Sequence, residues 1–527
     1  MIIDSIDEIS PERQKNLTVI IGGGTLGLYF AIEICKQGRE VLVIEAGNKN
    51  LDNFTAGTYS SIGALHEGIR IARSRSLGGT SNLWGGQLVE YQEADFEGRK
   101  WLPNSQWPLP YDEVQSFYAP TYGNLGIPPE LQSDQAVFNK LGTPAPAFCE
   151  GVELFLTRWL KIPSMAEMFE AQIRTNPLLS VLLNHTVTGF DGTDNKISAL
   201  IFSDGSGQPK KIGGANFILA AGTVESVRLM LHAAESESSF APWALNQNIG
   251  NFFQDHVGGR AGSIHPIDRK RFTRYFSTIV RDGFKFQPKL RLKNAVLAEQ
   301  RILNTQGMLH FESSIGENLT YLKQFLRAAV FGRKIVNLRE LPRHLFACGK
   351  HLPPLIFRYI LQNRVFVPSR SKVSFMLQTE QTPLAESRLT IDSSIRDKFG
   401  LPKVILDWRI GDEEIKSMRA FTIKCKQALE NSGIAELRIV KELADLDPKY
   451  SNSVRDNYHH VGGLCMGFSA QDGVVDRNLK VFGTDNLYVL GASTFRTASN
   501  ANTTFLALTF ATRLSKWLLT SERDNTK

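Results

Sequence analysis

Three groups of residues in this 527-residue chain have types and spacings suited to chemistry. The first is the adjacent pair His459 and His460, in Asn457-Tyr458-His459-His460-Val461-Gly462-Gly463. An imidazole titrates near neutrality and can take a proton from a hydroxyl at physiological pH. Neighbours on an extended segment point to opposite sides, so only one of the two is expected to face a reacting centre. The second group is Asn500 and Asn502, ahead of a long helical pattern. An amide N–H can donate to an oxygen that is gaining negative charge without competing for its proton. A turn residue before the helix is the other role open to Asn500. The third is Gly22-Gly23-Gly24-Thr25-Leu26-Gly27, where Gly22, Gly24 and Gly27 have G-x-G-x-x-G spacing.

The glycine turn has the flanking elements it needs. Residues 17–21 are a short apolar, β-rich run, read as a buried parallel strand; 28–37 read as a helix stopped by Gly38; 40–45 read as a second strand closed by Glu45. Gly22 permits a tight turn, Gly24 lets the backbone approach a pyrophosphate, and Gly27 lets the helix pack on the strand. The helix N-terminus offers free N–H groups and a positive dipole end to phosphates, and Glu45 can accept from a ribose hydroxyl. The motif does not separate FAD from NAD. Its place at the start of the chain and the terminal acid lean toward FAD.

Further strands are expected at 181–187, 196–202 and 217–221, and a long helix at 503–519. The length predicts two interleaved domains or one large composite, and 42% hydrophobic residues suffice for a large core. A formal charge of +7 is mildly basic and does not call for nucleic acid. The five cysteines, Cys35, Cys149, Cys348, Cys425 and Cys465, form no C-x-x-C pair. No disulfide framework, metal site, haem attachment or iron–sulfur cluster is expected, and a reducing, cytoplasmic compartment fits. The first 16 residues carry four acids and no apolar core, so no signal peptide is read, and no uncharged apolar run is long enough to span a membrane.

Five blocks, in order, resemble the glucose–methanol–choline (GMC) oxidoreductases. They are IIGGGTLG with Glu45; RSLGGTSNLWGG at 75–86; FILAAGTVESVRLML at 217–231; NIGNFFQDH at 248–256; and a C-terminal set, NYHHVGGLCMG at 457–467, GVVDRNLKVFGTDNLYVLGAS at 473–493 and ANTTFLALTFATRL at 501–514. The resemblance implies an α/β composite. A Rossmann-type FAD-binding domain would be built from 1–98, 177–262 and 455–527. An inserted substrate-binding domain with an antiparallel sheet and helices would come from 99–176 and 263–454.

The resemblance also implies FAD-dependent oxidation of an alcohol, a sugar or polyol hydroxyl, with hydride passing to the flavin. A dehydrogenase is favoured over an oxidase, with the electron acceptor open. It selects His459 as the base, five residues ahead of Leu464, leaving His460 to packing. It places Asn502 against the substrate oxygen, although many relatives carry proline where this chain has Thr503. The cofactor contacts it carries over are Gly22, Gly24, Gly27, Glu45, Gly78, Gly79, Asn82, Trp84, Val187, Ala221, Gly222, Ala492, Thr503 and Thr504. Leu83 stands where relatives with a covalent flavin have the tethering histidine, so FAD is expected to be non-covalent. Two rivals are another class of flavin or nicotinamide reductase and a non-catalytic flavoprotein scaffold that binds an anionic partner.

Residues 319–370 stand apart. Ten basic residues (Lys323, Arg327, Arg333, Lys334, Arg339, Arg343, Lys350, Arg358, Arg364 and Arg370) face one acid, Glu340, so the remainder of the chain is net negative. Mixed with large apolar residues, they suit peripheral membrane association or an anionic substrate, and equally a solvated basic face over a core. Trp84, Trp101 and Trp107 are expected to pack, His256 to be a structural partner near the flavin, and Cys465 to be unreactive.

Overall fold

In the strand Thr18–Ile21 all four residues are buried, as are all four of Val41–Ile44. Two-sided burial is what a parallel sheet covered on both faces demands, and it is why these runs are continuously apolar. The computed structural model describes residues 1–50, 58–142, 144–205, 208–312, 316–331, 338–349, 351–368 and 371–525. Its parallel sheet has six strands, in the order Ile2–Ile3, Leu179–Leu182, Val41–Ile44, Thr18–Ile21, Asn216–Leu219, Leu487–Val489. Helix α1 (Thr25–Cys35) leaves the first glycine turn, and α2 (Thr223–Glu235) leaves Gly222. The C-terminal helix, Thr504–Asn525, packs on α1, where the Tyr29 hydroxyl meets Thr512 Oγ1 at 2.8 Å.

The expected strand at 181–187 is two strands. Leu179–Leu182 enters the parallel sheet, and Thr186–Thr193 starts a three-stranded antiparallel sheet. Asn184 breaks the run with a left-handed backbone (φ 60°), and the N–H groups of Asn184 and His185 bond to the carbonyls of Gly47 and Glu45. Asparagine tolerates that conformation better than most residues.

The second large layer is a nine-stranded antiparallel sheet. Its main path runs Ala435–Ile439, Val257–Pro266, Lys372–Thr379, Thr305–Glu312, Phe284–Leu292, Val152–Trp159, Gln87–Leu88. Its strands therefore include 87–88, 257–266 and 455–456, which lie at the edges of the segments expected to form the cofactor domain. Around it lie α3 (Arg269–Phe276), α4 (Leu341–Gly349), α5 (Leu352–Leu361) and α6 (Asp412–Asn431). Helix α6 packs across the strands and shares the core through Phe421, whose ring lies 6.3 Å from Phe375.

The basic stretch is helical where described, but its charges do not form one outer face. Arg364 is buried, with Nη1 donating to Ser277 O at 3.0 Å, and Arg358 turns inward to Thr273 and Ser277. Arg339 and Arg343 are exposed. Arg333, Lys334, Lys350 and Arg370, and the side chains of Lys323 and Arg327, lie outside the described residues.

Gly27 is the tightest point between α1 and its strand. A Cβ there would sit 1.9 Å from Gly22 O. No rotamer relieves a clash with backbone, so Gly27→Ala must push the helix off the sheet. We expect a cost of about 1–3 kcal/mol, the usual range for overpacking, seen as a lowered thermal midpoint together with loss of bound cofactor.

Candidate active site

A cavity of about 720 Å³ opens at the carboxyl ends of the parallel strands, facing the antiparallel sheet. Ligand crevices in open α/β sheets form at this end because the strand–helix turns leave backbone N–H groups unpaired there. Gly22, Gly24 and Glu45 line it from the first turn, Gly79, Leu83 and Trp84 from the second loop, and Val187 from the strand beyond. Ala221, Gly222, Ala492, Thr503 and Thr504 complete that wall.

Three expected contacts stand behind the wall. Gly27 is taken up by helix packing, and Gly78 forms the turn with φ +92°. Asn82 braces its own loop: Nδ2 donates to Leu77 O at 2.9 Å, and Oδ1 accepts from Ser164 Oγ at 2.6 Å. Glu45 is buried and already accepts from the N–H groups of Gly23 and Gly47, both at 2.7 Å; burial pushes its pKa up.

The cradle fits a dinucleotide. Gly24 has an ordinary φ of −80°, and the nearest atom to a Cβ there is 3.9 Å away. A Cβ on Gly222 would meet nothing within 4 Å. Protein sterics therefore do not require glycine at Gly24, and both glycines leave room for a bound group to approach the backbone.

His459 and His460 both line this cavity, against the expectation that only one would. The alternation argument needs an extended backbone, and Tyr458 interrupts it with φ +64°. The two differ in their partners. His460 packs beside His66 and Phe253, with ring centroids 5.2 and 5.8 Å away. His459 sits in a hydrogen-bonded chain: its Nδ1 is 2.8 Å from His256 Nδ1, and its Nε2 is 3.0 Å from Asn502 Nδ2.

The chain fixes where the protons are. His256 Nε2 lies 2.8 Å from Ser499 O and 3.1 Å from Ala498 O. Carbonyls only accept, so Nε2 carries the hydrogen. Burial lowers the pKa of His256 and keeps it neutral, which leaves its Nδ1 with a lone pair. The hydrogen between the two rings therefore belongs to His459 Nδ1, and His459 Nε2 carries a lone pair that faces the Asn502 amide. Burial first, and then the neighbouring His256, push His459 down to about 3, so it stays neutral in the physiological range. It is a ready acceptor, although its pKa lies well below the near-neutral value of a free imidazole. Asn502 Oδ1 is buried and has no hydrogen-bond partner among the described residues.

Sequence reasoning missed the group that holds this segment, Asp255. Its Oδ1 accepts from the backbone N–H of His256 at 2.6 Å and of His459 at 2.9 Å, and its Oδ2 lies 3.1 Å from His66 Nε2. His66 Nδ1 accepts from Ile69 N, so its Nε2 is the donor to Asp255. Despite full burial, these bonds and the nearby histidines hold the Asp255 carboxyl far below its usual range. The only sequence signal was its place before His256.

A polar strip of the antiparallel sheet borders the cavity. Gln87, which lines it, donates to Thr157 Oγ1 at 3.0 Å and Gln287 Oε1 at 3.1 Å, and accepts from Lys289 Nζ at 3.3 Å. Lys289 is 1% exposed, and burial pushes it down to about 7. Gln306, on the next strand, has both amide atoms buried without a partner among the described residues. Elsewhere, Trp101 and Trp107 donate to Ile302 O and Thr497 Oγ1 as packing residues, and burial raises Cys465 to about 11.

The GMC oxidoreductase family model matches residues 383–511, which contain His459 and Asn502. The fructose dehydrogenase large subunit of Gluconobacter japonicus is 22% identical, over 97% of this chain and 99% of that protein. The family match spans about a quarter of the chain, and the likeness to the fructose dehydrogenase subunit extends over nearly all of it. Pyridoxine 4-oxidase from Mesorbium loti superposes with a TM-score of 0.58 at 17% identity, over 95% of this chain and 99% of that one. A formate oxidase gives 0.56 at 14% identity, over 97% and 99%. These likenesses show the shared fold, a Rossmann-like parallel sheet with a large antiparallel one. FAD is the cofactor typical of GMC oxidoreductases.

If His256 sets the tautomer of His459, its replacement has a specific signature. His256→Leu removes the acceptor for Nδ1–H; we expect flavin reduction to slow roughly 10–100-fold with FAD retained. The acid limb of the pH–rate profile should move upward, because in acid the charge of a protonated His256 no longer opposes that of His459. His256→Gln, whose amide can accept from one side and donate to the other, should recover much of the rate. Stopped-flow absorbance across pH reads all three.

Proposed function

We propose that this protein is a GMC-type oxidoreductase that oxidises an alcohol carbon of a sugar or similar polyol, using non-covalently held FAD and an electron acceptor other than oxygen. One observation carries the chemistry: a neutral, buried histidine whose tautomer directs a lone pair at the cavity, beside an asparagine with an unsatisfied oxygen. When bound, FAD accepts the hydrogen and electron pair that leave the alcohol carbon.

The residues of the chain do the rest. His459 Nε2 takes the hydroxyl proton while Nδ1–H stays bonded to His256. The Asp255 carboxylate favours the resulting imidazolium and so opposes part of the burial cost. The Asn502 amide can turn from His459 to the substrate oxygen, donating with Nδ2 as charge develops. The start of the C-terminal helix at Thr503 and Thr504 supplies N–H groups and a positive dipole end to the same wall. Gln87, which lines the cavity and is held by Thr157, Gln287 and Lys289, offers an amide that suits a compound with several hydroxyls. The end-to-end similarity to a fructose dehydrogenase subunit supports a sugar and a dehydrogenase. An anaerobic flavin-bleaching screen against sugars and alcohols tests this; bleaching by none of the polyols would overturn the substrate class.

His459→Ala should retain FAD and reduce it about 10²–10⁴-fold more slowly, the usual worth of a positioned base. His460→Ala should lose far less chemistry. A reversed order in single-turnover measurements would move the base to the other ring.

Leu83 lines the cavity with an aliphatic side chain, which cannot tether a flavin. Acid precipitation is therefore expected to release the yellow colour into the supernatant, and colour in the pellet would show a covalent bond.

A further inference from the structure

The described part of the basic stretch shows an unusual surface. Phe346 on α4 is 91% exposed, and Leu361 and Ile360 on α5 are 69% and 65% exposed. Ile356, Phe357 and Tyr359 on α5 and Leu345 on α4 are exposed as well. A single exposed leucine needs no explanation, but this many large apolar side chains on two consecutive helices mark an interaction surface. They project from helices, the form that suits insertion between lipid chains.

The charges beside them are mostly cationic, with Asp268 at the N-cap of α3 and Glu340 as the acids. Helix α3 reads RKRFTRYF with no acid, and Lys270, Arg271 and Arg274 are exposed on it. It lies against α5, since Arg358 reaches from α5 to Thr273 and Ser277 at 3.4 Å each. Arg339 and Arg343 add exposed cations next to α4. Glu340 is the one acid between residues 338 and 365. Arg358 and Arg364, which composition counted with the other charges, instead turn inward and tie α5 and the segment after it to α3 and its C-cap. The outward charge comes partly from α3, outside the stretch that composition singled out.

We propose that α4 and α5 seat their apolar side chains in an anionic phospholipid surface, with α3 supplying cations to the headgroups. The contact is peripheral, because among the described residues no helix is long and apolar enough to cross a membrane. Apolar burial and attraction to anionic headgroups act together at such a surface, each cation contributing within a Debye length. The inference does not depend on which alcohol the enzyme oxidises.

The test uses the full-length holoprotein and sedimentation with phosphatidylcholine vesicles, with or without phosphatidylglycerol, at low and high salt. We expect recovery with the anionic vesicles at low salt, and roughly tenfold weaker partition with neutral vesicles or at high salt. Phe346→Ser/Ile360→Ser should weaken partition by roughly tenfold or more, and so should Lys270→Glu/Arg271→Glu if the first variant fails to fold. Circular dichroism and flavin absorbance report folding. Absence of the wild type from anionic pellets overturns the proposal, as does equal recovery of folded variants. A wild-type dimer that the apolar variant dissociates, with no vesicle recovery, would make the patch a contact between two copies and would likewise overturn it.

Discussion

The site depends on one buried carboxylate. Asp255 gathers the backbone of the histidine segment at 456–460, its own neighbour His256, and His66 from the N-terminal third of the chain. An isolated carboxylate in such a place would be strongly disfavoured, and three or more donors are what make its burial tolerable. Because two of those donors are backbone amides on either side of the His256–His459 contact, the carboxylate sets the separation of the two rings. The tautomer of His459, and hence the direction of its lone pair, follows from that separation and from two carbonyls at 498 and 499.

Two of the buried groups around the cavity are costly to keep. Lys289 has one side-chain hydrogen bond among the described residues, and Gln306 has none. A protein optimised only for stability would replace both with apolar residues of similar size, since unpaired polar burial costs about 1–3 kcal/mol per group.

The parts of this architecture that were legible in the sequence are those whose signal is local. The strand, glycine turn, helix and second strand at 18–44 follow from burial pattern and glycine spacing within one short segment. The break at Asn184 was not legible, because it depends on hydrogen bonds to Gly47 and Glu45, remote in the chain. The pairing of His256 with His459 spans 203 residues and leaves no periodicity to read. Reasoning from strand alternation failed at His459 and His460 because one left-handed residue, Tyr458, turned both rings to the same wall. Composition found the basic region but could not show that Arg358 and Arg364 point inward, since that depends on which side of α5 meets α3.

The parallel sheet takes its first strand from residues 2–3 and its last from 487–489, and the helix that closes the cavity follows at 504. During synthesis, the glycine turn at 22–27 emerges hundreds of residues before the strand and helix that complete its pocket. Long-range closures of this kind are slow and leave sheet edges uncovered in the meantime. The order of emergence therefore puts completion of this pocket after the strand at 487–489 and the helix that follows it. Until Leu487–Val489 pairs with it, the nascent chain exposes the edge of Asn216–Leu219, the strand on which chaperone protection would matter most.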